Sequence, residues 1–255
     1  MIGYIFSSSF RELMRPRRVA PWILAIVLIA MIGAFTATQM RGTPIRDAYG
    51  SISSLFIFRL VALMSSVFSV AVVAQEVEQK TIVYLLTRPV DRRTMLIGRA
   101  LASAATVGAL SSLAVIVFRL LVMRNSPQLW SGVGAELLAV NLGAFAYAGL
   151  FVFISLLANK ATTICLLYAF GFETFTGVTP GSLQYGSIFA HMNGIAQHPS
   201  LSSGGVLSGL SGQSNNNPIL PGVAIPVLLI VGAAGLSIAA YWFYVFEFLP
   251  REDAE

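Results

Sequence analysis

Four charged residues stand inside or at the edges of otherwise apolar stretches of this 255-residue sequence: Arg59, Arg119, Glu136 and Glu173. An ionisable side chain held in hydrocarbon is costly, so it faces either a partner or a water-filled path. Two readings follow. In one, Arg59 pairs with Glu173 at similar depth, and Glu136 is neutralised by Arg119 or Arg124; in the other, these charges line a route for a solute. His191 and His198 lie seven apart with no carboxylate in the same stretch. Metal sites need three or four ligands, so none is expected there. Gly209-Leu210-Ser211-Gly212 offers a serine between glycines, but no histidine follows it to act as base. The chain carries no GxxxxGK[ST] loop, so it does not cradle ATP phosphates itself. No catalytic residue, metal or bound cofactor is expected.

A second concentration of chemistry is the charged island from Glu76 to Arg99, EVEQKTIVYLLTRPVDRRTMLIGR. It holds five of the sixteen Lys and Arg residues in a chain that is only 11% charged. An amphipathic segment (Val77, Ile82, Val83, Leu85, Leu86) meets a break at Pro89. Asp91 then stands where a helix N-cap belongs, ahead of an apolar run starting at Met95. A basic helical knuckle of this shape on a membrane protein reads as a docking surface.

The elements that position these residues are dictated by composition. Hydrophobic residues make up 56% of the chain, and mean hydropathy is +0.77. Its apolar runs approach the ~20 residues that cross a bilayer as helix. Backbone amides in lipid must bond within their own segment or close into a barrel, and these runs show little alternation of period two. The expectation is an all-α polytopic membrane protein with no soluble catalytic domain. Six spans are predicted at about 20–38, 52–74, 95–121, 133–157, 161–179 and 222–246. Residues 1–18 place Phe6, Phe10, Leu13 and Met14 at helical spacing beside four arginines, which predicts an amphipathic helix on the membrane surface, turned by Pro16 into the first span.

Six spans return both termini to one side. That side collects eleven Lys and Arg, and the other collects Arg41, Arg46 and Arg124, which puts the termini and the island in the cytoplasm. The same rule accounts for the net charge of +5 without nucleic acid. A single cysteine, Cys165, excludes an internal disulfide. The predicted outer loop at about 180–221 is free of charged residues. Its first part keeps Leu183, Ile188, Phe189, Met192 and Ile195, so it is either an exposed loop or a partial helix dipping into the outer leaflet.

The island resembles the cytoplasmic segment between spans two and three of ABC-transporter permeases of the type-2 exporter (ABC-2) family. The resemblance rests on Glu76 and Glu78, then Thr81-Ile82-Val83-Tyr84-Leu85-Leu86, Arg88-Pro89-Val90, Arg92-Arg93 and Arg99. Weaker likenesses follow in order: Lys160 with Tyr168-Ala169-Phe170-Gly171-Phe172-Glu173, then the Phe248–Asp253 end. Gln79-Lys80 depart from the family's small residue or glycine before Thr81. The resemblance implies a six-span permease in a prokaryotic plasma membrane with an N-terminal elbow helix. It implies a second permease copy, identical or related, and two separate ATP-binding subunits that hold ATP and Mg. The segment 76–94 would be the coupling helix. Ile82, Val83, Leu85 and Leu86 would be the buried contact, with Lys80, Arg88, Arg92 and Arg93 at its rim. The other readings of the residues are a stand-alone secondary transporter, an intramembrane hydrolase, and a membrane anchor that recruits a cytoplasmic partner.

Overall fold

A computed structural model describes residues 2–39, 45–78, 92–124, 126–173, 182–198 and 219–245. Among them every regular element is helical. The amphipathic start forms α1 (Ile2–Leu13). Pro16 opens α2 (Pro16–Gln39) at the first helical position, where its missing N–H is no loss. Next, α3 (Ile45–Ser53), a π-helical turn (Ser54–Phe58) and α4 (Arg59–Glu78) run on as one continuous rod. The 31-residue α5 (Arg92–Val122) precedes α6 (Val133–Leu157). A short helix, α7 (Ala161–Leu167), continues into a second π turn (Tyr168–Phe172). A 3-10 turn (Ser182–Gly186) leads into α8 (Ile188–Ala196), and α9 (Pro221–Val245) ends the described chain.

Five stretches are long and apolar enough to cross a membrane: Pro16–Ala37, Tyr49–Val73, Arg93–Val122, Val133–Leu157 and Pro221–Val245. They match five of the six expected spans to within a few residues. Of the span expected at 161–179, the described part is an apolar helix, Ala161–Phe172. That length rises about 18 Å, against about 30 Å of hydrocarbon. Residues 174–181 lie outside the described residues.

The hub of the bundle is α6, which packs against α4, α5, α7, α8 and α9. Its composition suits that place. Ala139, Ala144, Ala146, Ala148 and Gly149 let neighbouring backbones come close, since in lipid contact area rather than water exclusion draws helices together. The tightest approach is the crossing with α9. There a Cβ added to Gly149 would run into the Gly232 backbone, and one added to Gly235 would run into that of Gly149.

At one end of the bundle Val73, Leu96, Ala100, Val152, Leu156, Leu236 and Ala239 form an apolar cluster that joins α4, α5, α6 and α9. This is the island end, because α4 stops and α5 starts there. The same end carries α1, whose Ile5 rests on Gly98 of α5. Arg93 closes it by stacking 3.8 Å over the Tyr244 ring of α9.

Gly149→Val places two methyl groups where only backbone fits. Overpacking of this kind costs about 1–3 kcal/mol. The expected outcome is a lower Tm of the purified protein in detergent, whereas the same change at the uncrowded Gly134 leaves Tm near wild type.

Candidate functional site

The opposite end of the bundle, the far end, holds the intramembrane charges. Glu136 lies in the first turn of α6 and is fully buried. An ionised carboxylate there must be met on every side. The Tyr49 hydroxyl lies 2.8 and 2.7 Å from its two oxygens, and the Ser53 hydroxyl donates to Oε1 at 2.5 Å. Both come from α3, one helical turn apart on the same face. Arg119, near the end of α5, pairs with Oε2 through Nε at 3.0 Å. The same guanidinium donates through Nη1 to the carbonyls of Leu129 and Ser131, each at 2.8 Å, and so ties the α5–α6 connection to the pair. His198 completes the shell with Nε2 3.5 Å from Glu136 Oε1.

Glu173, at the end of the second π turn, is the other buried carboxylate. It receives the backbone N–H of Ile188 at 3.0 Å and of Phe189 at 3.1 Å, and the Tyr147 hydroxyl of α6. A carboxylate against the first amides of α8 meets both unpaired donors and the positive end of the helix dipole. Ser187 caps the same helix, its Oγ accepting from Ala190 N at 3.2 Å.

The direct Arg59–Glu173 pair expected from depth is not formed. Arg59 instead donates through Nη1 to the carbonyl of Ala169 at 2.8 Å, inside the second π turn. Its guanidinium lies 4.3 Å over the Phe189 ring. Phe189 therefore stands between the two charges, with its amide on Glu173 and its ring under Arg59. Each of the two π turns adjoins one of these charges, and such turns recur at sites where a helix departs from regular geometry to place a group.

The segment 188–198 is thus held at both ends by buried acids. Its start is on Glu173. Its end turns at Gln197, which adopts φ of 54°, and delivers His198 onto the Phe58 ring (centroids 5.3 Å apart, planes 14° apart) and against Glu136. Between the ends, Met192 sits in the space left by Gly143 of α6. Gly143 is about 15 Å along α6 from Val133. Of the two readings for this part of the sequence, the geometry is that of a partial helix packed well down the bundle. His191 is buried in it with Nδ1 2.8 Å from the Ser187 carbonyl.

Arg59, Glu173, Arg119 and Glu136 all gather at the far end, in two adjoining networks. Of the island residues, Thr81, Ile82, Val83, Leu85, Leu86, Arg88 and Pro89 lie outside the described residues. Glu76 and Glu78 belong to the last turns of α4, and Arg92 opens α5. Sequence reasoning passed over Tyr49, Ser53 and Tyr147 as partners, and left His198 without one. The available signal was the hydroxyl of a tyrosine in an apolar run, which needs an acceptor when buried.

Removing one member of a buried pair costs about 3–5 kcal/mol, because the other charge is stranded. Arg119→Leu is therefore expected to lower Tm sharply, and Arg119→Leu with Glu136→Leu to lower it less than Arg119→Leu alone. Loss of hydrogen bonds to a charged group costs about 1.5–3 kcal/mol. In Glu173→Ala, amide exchange across residues 188–191 is accordingly expected to accelerate by roughly ten- to a hundredfold, read by hydrogen–deuterium exchange.

Residues 5–203 match the sequence family described as ABC-2 family transporter protein. No curated protein matches the chain.

Proposed function

The chain belongs to the ABC-2 family of transporter proteins, and from that membership we propose that it is the permease subunit of an ATP-driven exporter. The observation that carries this reading is the extent of the match. It runs from α1 through the island to the segment after α8, so it takes in both the island and the polar far end. The permease would work with two ATP-binding subunits, which hold ATP and Mg, and with a second permease copy, identical or related. It would sit in a prokaryotic plasma membrane with both termini and the island in the cytoplasm, as the distribution of basic residues favours. Six crossings then require that the chain from Ala161 complete a passage beyond Phe172.

In this reading α1, lying against Gly98 at the island end, is the elbow helix, and segment 76–94 is the coupling helix. Ile82, Val83, Leu85 and Leu86 would seat in a groove of the ATP-binding subunit, with Arg88 and Arg92 at the rim setting specificity more than affinity. Nucleotide can shift the permease only by as much as it favours one docked geometry over another. The α4 rod and the long α5 flank the island directly, so displacement at 79–91 reaches Arg59 and Arg119 along continuous helix. Arg59, Glu173, Arg119 and Glu136 would then fix the geometry of the far end through which cargo leaves.

The test reconstitutes the chain with its ATP-binding subunit in lipid vesicles and compares wild type with Leu85→Asp/Leu86→Asp. The double variant is expected to insert normally but to lose transport and coupled ATP hydrolysis by tenfold or more. Full coupling in that variant would remove the proposed role of the island.

A further inference from the structure

A cavity of about 260 Å³ opens at the far end, walled by Tyr49, Arg119, Met123, Gln128, Ser131 and His198 among others. Among the described residues Arg119 is the one Lys, Arg, Asp or Glu in its wall, and Glu136 lies sealed behind the guanidinium. The Arg119 side chain keeps only 9% of its surface exposed. Its Nε is engaged by Glu136 and by the Tyr49 hydroxyl, and its Nη1 by two carbonyls. Among the described residues Nη2 has no acceptor. It lies toward Gly132, 3.9 Å from where a Cβ would stand, and Gly132 also lines the cavity. A φ of 77° favours glycine there, so the wall beside Nη2 carries no side chain.

We propose that this cavity binds a small monocarboxylate, with one carboxylate oxygen accepting from Arg119 Nη2. The chemistry of the walls selects that class. A guanidinium nitrogen in a partly dry site prefers an anionic oxygen over water. The remaining polar groups named in the wall are amides, hydroxyls and the His198 imidazole, which tolerate one negative charge and supply no second guanidinium or ammonium for a dianion. The Tyr49 ring and the Met123 side chain give the other wall an apolar character suited to a short hydrocarbon tail. Size sets the limit. Drug-sized ligands occupy about 300–1,000 Å³, and at ~30 Å³ per water-sized group the cavity takes about nine groups. Butyrate fits and a long-chain fatty acid does not. The proposal stands on the geometry of Arg119 and does not depend on what drives transport.

The probe is sodium butyrate, read by intrinsic-fluorescence thermal unfolding of the full chain in lipid nanodiscs. A rise in Tm that saturates, with half-effect at about a millimolar, is expected for wild type. Butyramide, and sodium chloride at the same ionic strength, should give no such rise. Ser131→Asp would supply Nη2 with a carboxylate of its own, and Gln128→Trp would fill the mouth; both are exposed positions. Each variant is expected to unfold near the wild-type temperature without ligand and to lose the butyrate response. An equal response to butyramide, an unsaturable one, none in wild type, or one retained in a folded variant would each overturn the proposal. Should one variant fail to fold, the other carries the same comparison.

Discussion

Glu136 is an acid with no access to solvent, and leaving such a charge unmet would cost several kcal/mol. Its four polar neighbours are Tyr49, Ser53, Arg119 and His198, drawn from three separate parts of the chain. Solvating this one carboxylate thus sets where α3 begins its descent, where α5 ends and where the segment after α8 returns. The same requirement explains why Arg119 also binds the Leu129 and Ser131 carbonyls. A guanidinium has five N–H donors, and here those on Nε and Nη1 are met by protein acceptors. The α5–α6 connection is held at the far end because it supplies two of the acceptors.

Glu173 solves the same problem by another route. Its solvating groups include the first backbone amides of α8, which would otherwise be unpaired donors at membrane depth. Acid and helix start satisfy one another, so neither needs a counter-cation in contact. That frees Arg59 to bond the Ala169 carbonyl and to cover Phe189. The two networks meet at Phe58, which stacks on His198 and touches Phe189 edge-on. They share α6 as well, through Glu136 in its first turn and Tyr147 near its middle.

The spans were legible because their signal is cumulative: twenty apolar residues in a row admit few alternatives, and Val133–Leu157 agrees with expectation to the residue. The span expected at 161–179 is described only as far as Glu173, which follows the apolar helix Ala161–Phe172. Apolar residues continue past Glu173 in sequence, and hydropathy does not register that a buried acid there serves a neighbouring helix. Pairing of Arg119 with Glu136 was among the options because the two stand on adjoining helix ends. Arg59 and Glu173 share a depth, but depth is one coordinate of three. Phe189, about sixteen residues beyond Glu173 and on a helix the hydropathy pattern left undecided, came between them. Tyrosine hydroxyls and backbone amides as solvating groups carry no charge, so counting charges could not find them.

The two ends of the bundle are built from different interactions, with a mechanical consequence. At the island end and along the α6–α9 crossing, helices meet through alanine, glycine and branched aliphatic contacts, whose energy varies smoothly as surfaces slide. At the far end the contacts are charge-assisted hydrogen bonds, which are made or lost within about an ångström. In the proposed permease, a push along α4 and α5 would be borne gradually by the first set until the second gives way. The longest contact in that shell is His198 against Glu136 at 3.5 Å, carried on a segment that leaves α8 through a left-handed residue. Separating it leaves Glu136 with Tyr49, Ser53 and Arg119, so the acid stays solvated, and leaves His198 with its stack on Phe58. Separating Glu173 from α8 would strand two amides and an acid together.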